Sequence, residues 1–150
     1  MASRRRKRVS GEFTKFIERV MVRLTLRTWQ VLTIETPVRF GFARAGWVPS
    51  IGKPQPGPST STASRARDVT EEQRERLARV QADALFRKNK QLLDALAAGY
   101  KLKQGPTFIV NAVRYLVFLN EGTSAQAPAM FVETGVTTAV RATSRELARG

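Results

Sequence analysis

The chain has 150 residues, 42% of them apolar, and 26 Lys and Arg against 12 Asp and Glu give it a net charge of +14. This length and apolar content predict one globular domain with its own core and exclude a wholly disordered chain. No window approaches the roughly 18 uninterrupted apolar residues of a transmembrane helix, so we expect no membrane partner. Cysteine and histidine are absent, which removes disulfides, thiolate metal sites and the commonest general base.

No catalytic or metal-binding pattern stands out in the sequence. The P-loop sequence Gly-x-x-x-x-Gly-Lys-Ser/Thr does not occur, no EF-hand spacing occurs, and a Ser-His-Asp triad cannot form without histidine. The Asp and Glu residues fall mostly on predicted helix faces beside basic neighbours. We therefore expect a structural or binding protein rather than an enzyme, with no cofactor and no metal.

Positive charge is concentrated in the first part of the chain. Residues 1–67 carry 14 Lys and Arg against 3 Asp and Glu, whereas residues 68–150 carry 12 against 9. A run of like charge repels itself and predicts a disordered basic arm over residues 1–9. The arm either contacts nucleic-acid phosphates or is only a solubilising tail. Its candidate contact residues are Arg4, Arg5, Arg6, Lys7 and Arg8.

A long helix is the first ordered element predicted, from about Gly11 to Glu35. Ser10 is a suitable N-cap, and Pro37 ends the helix because the residue before a proline avoids the α region. The helix carries two apolar strips and is either sandwiched between two surfaces or buries one wide face. The strips consist of Phe13, Phe16, Ile17, Val20, Leu24, Val31 and Leu32, and of Val22, Leu26 and Trp29.

The middle of the chain predicts a turn, a strand, a loop and a second helix. The strand is expected around Gly46–Ile51, with Trp47 as a core anchor, and residues 53–69 are expected to form a mobile Pro/Ser/Thr-rich loop. Thr70 and Gln73 fit a capping box at the start of a helix that ends near Gly99. The predicted core face of that helix consists of Leu77, Val80, Ala84, Leu92 and Leu96, and its basic stretch 87–90 reads as a solvated face rather than a phosphate site.

The last part of the chain predicts a strand over residues 107–111 and a final helix from Met130 to about Ala148. Between them, residues 115–120 form either a short helix or a strand. A turn after them is expected to position the final helix, with Tyr115 and Phe118 packed beneath. The final helix has an expected apolar face of Met130, Val132, Val136 and Val140. Residues 10–150 are thus expected to form a single domain.

Two segments carry a resemblance to a known family. The first motif is Thr36-Pro37-Val38-x-x-Gly41-x-Ala43-Arg44-Ala45-x-Trp47-x-x-Ser50-x-Gly52, and the second motif is Tyr115-x-x-x-Leu119-Asn120-Glu121-Gly122-x-Ser124-x-Gln126-Ala127-Pro128. In this order, with a helical segment between them, they resemble the tail-completion or neck proteins of tailed bacteriophages. The resemblance covers roughly residues 11–142. Its motif residues are Pro37, Gly41, Trp47, Tyr115, Glu121, Gly122, Gln126 and Pro128.

This chain departs from the family pattern at two places. Arg39 and Phe40 stand where the family often has an acidic residue and threonine. The sequence Ala129-Met130-Phe131 stands where the family commonly has Ala-Gly-Met, so that Met130 occupies the glycine position.

The resemblance implies an α+β fold in which a small antiparallel sheet packs against two or three helices. It implies a virion protein, assembled in the host cytoplasm, that forms a ring of typically six copies at the head–tail junction. Its partners would be further copies of itself, the neighbouring neck, connector and tail-terminator or tail-tube proteins, and genomic double-stranded DNA in the lumen. From the residues alone, the alternative is a stand-alone, sequence-independent nucleic-acid-binding protein that uses Arg4–Arg8.

Overall fold

The structure is a computed structural model that describes residues 2–37, 41–122 and 129–149, with the side chains of residues 2–8 and of Ser64 outside the description. Helices predominate, and one small antiparallel sheet makes this an α+β fold with a long N-terminal helix. The elements in chain order are α1 (Ala2–Glu35), α2 (Phe42–Ala45), β1 (Val48–Ile51), α3 (Glu71–Gly99), β2 (Thr107–Val110), α4 (Leu116–Asn120) and α5 (Phe131–Arg149).

The first helix, α1, begins at Ala2 rather than near Gly11, so the predicted N-cap at Ser10 is wrong. Alanine, arginine and lysine all favour helix, and the backbone of the expected basic arm therefore belongs to α1. Ser10 takes part in the helix interior, where its carbonyl accepts a hydrogen bond from the Thr14 hydroxyl at 2.9 Å. The predicted end is confirmed, because α1 stops at Glu35, ahead of Pro37.

The capping box at the start of α3 is confirmed. Thr70 Oγ1 accepts from the Gln73 main-chain N–H at 3.2 Å, and Gln73 Oε1 accepts from the Thr70 N–H at 2.9 Å. The predicted core face of α3 is largely wrong: the side chains of Leu77 and Val80 are 42% and 60% exposed. The face that packs inward consists instead of Ala78, Ala82, Asn89, Leu93 and Leu96. Small residues in the first turns of α3 permit α2 and β1 to approach closely.

The sheet has two strands, β1 and β2, and lies between α1 and α3. Val48 pairs with Val110 and Ile51 with Thr107 in an antiparallel register. The Thr25 hydroxyl of α1 lies 2.8 Å from the Thr107 hydroxyl, which joins the helix to β2. The core gathers around this layer and comprises Trp29, Leu32, Phe42, Ala43, Trp47, Leu93, Val113, Leu116 and Phe131.

The Pro/Ser/Thr-rich loop contains a short 3-10 turn, Thr62–Arg65, close to α3. Gln81 of α3 holds this turn, because its Oε1 accepts from Ser61 Oγ at 2.6 Å and from the Thr62 N–H at 3.1 Å. Ser59 is also engaged: its carbonyl accepts from the Arg114 N–H at 3.1 Å. Residues 59–62 of the loop are therefore hydrogen-bonded both to α3, through Gln81, and to the segment before α4, through Arg114.

The last helix, α5, packs antiparallel along α1 through small residues. The apolar face predicted for α5 is wrong in most positions, since Met130, Val136 and Val140 are 58%, 39% and 44% exposed. The buried positions are Phe131, Gly135, Ala139 and Thr143, which recur every fourth residue.

The second apolar strip of α1, which includes Trp29, faces the core, whereas Val31 lies against α5. Arg27 and Glu146 form an ion pair further along this contact. Because Leu32 of the first strip, Trp29 of the second strip and Phe131 of α5 belong to one core cluster, both arrangements expected for α1 stay predictions.

Substitution of Gly135 tests the close approach of α5 to α1. A Cβ at this position would lie 3.2 Å from Leu32 Cδ2 and 3.3 Å from Val31 Cγ1. Gly135→Val is therefore expected to lower the free energy of unfolding by about 1–3 kcal/mol, the usual cost of overpacking, as measured by urea denaturation.

Gly11→Ala is the matched control, because a Cβ at Gly11 would meet nothing within 4 Å. It should leave stability unchanged or raise it by up to about 1 kcal/mol through helix propensity. Equal stability of Gly135→Val and the original chain would contradict the packing described for α5.

Candidate functional site

Two tryptophans organise the first motif. Trp47 is 4% exposed, which confirms its predicted role as a core anchor. Its Nε1–H donates to the Thr36 hydroxyl at 2.8 Å, and that hydroxyl donates in turn to the Leu32 carbonyl at 2.6 Å. Trp29 Nε1–H donates to the Trp47 carbonyl at 2.8 Å. Both buried indole donors are thus satisfied, and the end of α1 is tied to the start of β1.

Short helix α2 is held from three directions by side-chain amides and an arginine. Asn111 Nδ2 donates to the Ala43 carbonyl and Asn89 Nδ2 to the Ala45 carbonyl, each at 2.7 Å. The Arg44 side chain donates to the carbonyls of Thr36 at 3.3 Å and Ile34 at 3.0 Å, so it closes the end of α1. Asn89 is 1% exposed, which places one member of the basic stretch 87–90 in the core.

The two motifs meet at Tyr115. A main-chain hydrogen bond from Ala43 reaches the Tyr115 hydroxyl, and burial raises the pKa of Tyr115 while that hydrogen bond opposes the rise. Ala43 is therefore hydrogen-bonded both to Asn111, just before the second motif, and to Tyr115, its first residue. Segments more than seventy positions apart in sequence form one packed unit.

Asn120 of the second motif joins the end of α4 to the start of α5 through hydrogen bonds. Its Oδ1 accepts from the Val132 N–H at 2.9 Å and its carbonyl accepts from the Met130 N–H at 2.6 Å, so it satisfies donors at the start of α5. Its Nδ2 donates to the Glu133 carboxylate at 2.9 and 3.2 Å.

Gly122 lies two residues after Asn120 and has a φ of +77°, and a Cβ there would lie 2.9 Å from Ala129 Cβ. The predicted turn over residues 121–124 is described only at Glu121 and Gly122, and its remaining residues lie outside the description.

The predicted motif residues divide into those described and those outside the description. Pro37 lies just beyond α1, Gly41 precedes α2 with φ of +79°, and the exposed Glu121 donates its N–H to the Val117 carbonyl at 2.9 Å. Gln126 and Pro128 lie outside the described residues, as do Arg39 and Phe40 and the side chains of Arg4, Arg5, Arg6, Lys7 and Arg8.

Tyr115 and Phe118 do not pack beneath the turn as predicted. They are 44% and 59% exposed, and Val117 beside them is 61% exposed. The segment 115–120 is the helical alternative, with only Leu116 buried. A short helix that presents this much apolar surface is a candidate contact surface rather than a core element.

An exposed apolar surface lies on the first half of α1. Val9, Phe13 and Phe16 are 61%, 63% and 43% exposed. We call these three residues the α1 strip. Sequence periodicity identified Phe13 and Phe16 as members of an apolar strip but left open which surface they contact.

A cleft of about 230 Å³ lies beside the start of α3, and we call it the α3 cleft. Its apolar lining is unusual for a surface whose rim carries carboxylates. The lining consists of Phe42, Thr60, Ser61, Ala63, Glu71, Arg74, Glu75, Ala78 and Tyr115. Arg74 Nη1 pairs with Glu71 at 2.8 Å, whereas the nearest pairing of Glu75, with Arg79, spans 3.9 Å. Sequence reasoning missed this cleft because its walls come from four separate segments.

Within the described residues, no three Asp and Glu side chains converge as a metal site would require. Across the same part of the chain, no helix combines the length and apolar character needed to cross a membrane. Comparison with protein-family models, curated proteins and solved structures finds no match to this chain.

Replacing the Thr36 hydroxyl tests the tryptophan network. Thr36→Val keeps the shape of the side chain but leaves the buried Trp47 Nε1–H without its acceptor. We expect a loss of about 1–3 kcal/mol in the free energy of unfolding, the cost of one unsatisfied buried donor.

Thr33→Val is the matched control for the Thr36 variant. The Thr33 hydroxyl is buried and has no hydrogen-bond partner, so its removal should leave stability unchanged or improved. If the two variants lost equal stability, the hydrogen bond to Trp47 would not be the cause.

Asn120→Ala tests the hydrogen bonds that Asn120 makes to the start of α5. Loss of its cap on α5 should cost about 1 kcal/mol of stability at neutral pH. The hydrogen bond from Asn120 is also the main cause that lowers the pKa of Glu133 below 4.5. A carboxyl whose pKa is lowered by folding contributes its full stabilisation above its unfolded-state pKa and loses it as the pH falls through its folded-state pKa.

The stability difference between the original chain and Asn120→Ala should therefore shrink in acid, as measured by urea denaturation across pH. In a Glu133→Gln background the same comparison should show no such pH dependence. If the stability difference stayed constant across pH in the chain that retains Glu133, the assignment would be contradicted.

Proposed function

We propose that this chain is a structural subunit of the head–tail junction, or neck, of a tailed-bacteriophage-like particle. In this role it forms a ring, of six copies by the family resemblance, that completes the tail end and joins it to the capsid connector. The genome passes through the lumen of the ring. Its partners are further copies of itself and the neck, connector and tail-terminator or tail-tube proteins on either side.

The observation that carries this proposal is the backbone of Met130. Its φ is +60°, a left-handed conformation that non-glycine residues adopt rarely and that glycine adopts freely. The family commonly has glycine at this position, so the local geometry matches the family pattern at a site where the residue itself does not. This agreement between the backbone of Met130 and the family pattern supports the proposal.

The exposed apolar residues support an assembling subunit. Outside α3 they project from α1, α4 and α5, which is more than one partner surface needs and suits a ring subunit with neighbours on two sides. The largest of these exposures are those of Val9, Phe13, Ile34, Val117, Phe118 and Met130, each 58% or more. An isolated monomer would leave this surface in water.

A second candidate function is stand-alone, sequence-independent nucleic-acid binding. Lys15, Arg19 and Arg23 lie four residues apart on α1 and are exposed, and no ion pair found among the described residues includes them. With Arg4–Arg8 they form a basic helix suited to phosphate contact. This function predicts salt-sensitive DNA binding by a monomer, which a ring-forming subunit does not require.

The mass of the purified full chain after nuclease treatment, measured by light scattering or native mass spectrometry, tests the neck assignment. We expect a closed oligomer with a defined copy number, and gold-labelled protein at the neck of intact particles in electron micrographs. A chain that stayed monomeric and failed to label the neck would overturn the assignment. Salt-sensitive DNA binding by that monomer would then favour the second function.

Gly122→Val links the second motif to assembly. Because Gly122 has φ of +77° and faces Ala129 at contact distance, valine should displace the start of α5. We expect loss of the oligomer together with a stability loss of about 1–3 kcal/mol. Gly11→Ala is again the control and should assemble normally, and full assembly of Gly122→Val would count against the motif.

A further inference from the structure

The α1 strip has the spacing of an anchor helix. Val9, Phe13 and Phe16 are separated by four and three residues, so they share one face of α1. Helices that dock into grooves use this i, i+4, i+7 spacing for their anchors. Leu147 of α5 and Phe16 line the same small cleft. Val9 and Phe13, nearer the start of α1, are 61% and 63% exposed.

The charge around the α1 strip is strongly positive. Residues 1–27 contain nine Lys and Arg and only two Glu, at positions 12 and 18. Glu18 is already engaged, because its carboxylate accepts from the Leu102 N–H at 3.0 Å and lies 3.5 Å from Lys101 Nζ. A partner for this helix must therefore offer an apolar groove with acidic groups at its edge.

The α3 cleft has both properties. Phe42, Ala63, Ala78 and Tyr115 supply apolar lining, and Glu71, Arg74 and Glu75 supply charged lining. Arg74 already pairs with Glu71 at 2.8 Å, so Glu75 is the carboxylate of the lining that is less closely paired, at 3.9 Å from Arg79. Four of the chain's twelve Asp and Glu residues fall between Asp68 and Glu75. These four carboxylates stand against one arginine, Arg74, within residues 68–75, so this short segment beside an apolar cleft is opposite in charge to the α1 strip.

The α1 strip and the α3 cleft of one chain cannot meet. The α1 strip lies near the end of α3, where Glu12 and Lys15 border a cleft with Ala97 and Ala98. The α3 cleft lies at the other end, beside Ala78. The 19 residues from Ala78 to Ala97 span about 29 Å of helix at 1.5 Å per residue. Both features are therefore open only to another molecule.

We propose that the α1 strip of one copy docks into the α3 cleft of the next copy, which rests on the ring-forming function proposed above. Phe13 is the anchor in the cleft, and the basic residues of α1 face Glu71 and Glu75. Because the two surfaces differ, the contact is heterologous: each copy gives its α1 strip to one neighbour and its cleft to the other. Repetition of such a contact closes a ring when the rotation permits.

Two variants that each remove one side of the contact test this proposal. Phe13→Asp removes the anchor at a position that is 63% exposed, and Glu75→Lys reverses the charge of the cleft rim. Each should weaken self-association by about 30-fold or more, the effect of losing a central anchor. The readout is oligomer mass against concentration for the nuclease-treated full chain, with circular dichroism to verify the fold.

A mixing experiment separates a broken contact from a broken fold. Phe13→Asp retains a working cleft and Glu75→Lys retains a working strip. Each variant alone should remain monomeric, and an equimolar mixture should form a dimer and nothing larger. Failure of the mixture to pair while both variants remain folded would overturn the proposed contact.

Val80→Asp is the control for introducing a charge at an exposed apolar position. Val80 is 60% exposed on α3 and does not line the cleft, so this variant should assemble like the original chain. Equal disruption by Val80→Asp, or oligomers that persist in Phe13→Asp, would overturn the contact while leaving the ring itself in place. A wild-type chain that is monomeric would instead overturn the ring assignment, and assembly lost on nuclease treatment would assign the interaction to nucleic acid.

Discussion

The hydrogen-bonded series from Trp29 through Trp47 to Thr36 fixes the end of α1, helix α2 and the start of β1 relative to one another. Two buried indole N–H groups each need an acceptor, and they find a main-chain carbonyl and a threonine hydroxyl. Satisfying both fixes where α1 ends and where β1 begins. Once these are fixed, α2 must cross the short gap between them. Its carbonyls then lie within reach of Asn89 on α3 and of Asn111 after β2.

Close helix packing in this domain is made by small residues, which explains where sequence reasoning succeeded and where it failed. Helix boundaries were predictable from local signals, since the Thr70–Gln73 capping box and Pro37 act within a few residues. Buried faces were not predictable, because periodicity weights large apolar side chains such as Val80 and Val136. The packed faces use Ala78, Gly135 and Ala139 instead, and their value depends on how near the opposing helix comes.

The candidate site shows the same division between local and long-range information. The glycine at position 122 and the tryptophan at 47 could be identified from sequence, because turns and large aromatics carry strong local preferences. The hydrogen bond that joins Ala43 to Tyr115 and the α3 cleft could not be. Both require knowing which distant segments meet, and a single sequence contains no direct record of those contacts. Phe13 and Phe16, which periodicity grouped in an apolar strip of α1, are exposed and belong to the proposed partner surface.

The angle between α1 and α3 determines the rotation between neighbouring copies in the proposed contact, and hence whether the assembly is a ring or a filament. The α1 strip is fixed relative to the end of α3 by the bonds of Glu18 to Leu102 and Lys101. The α3 cleft is fixed at the other end of the same rigid helix. Each docking event therefore adds one copy at a rotation determined by the fold, and the number of copies follows from that rotation. Whether the assembly closes as a ring or continues as a filament depends on the geometry of these helices and not on the strength of the contact.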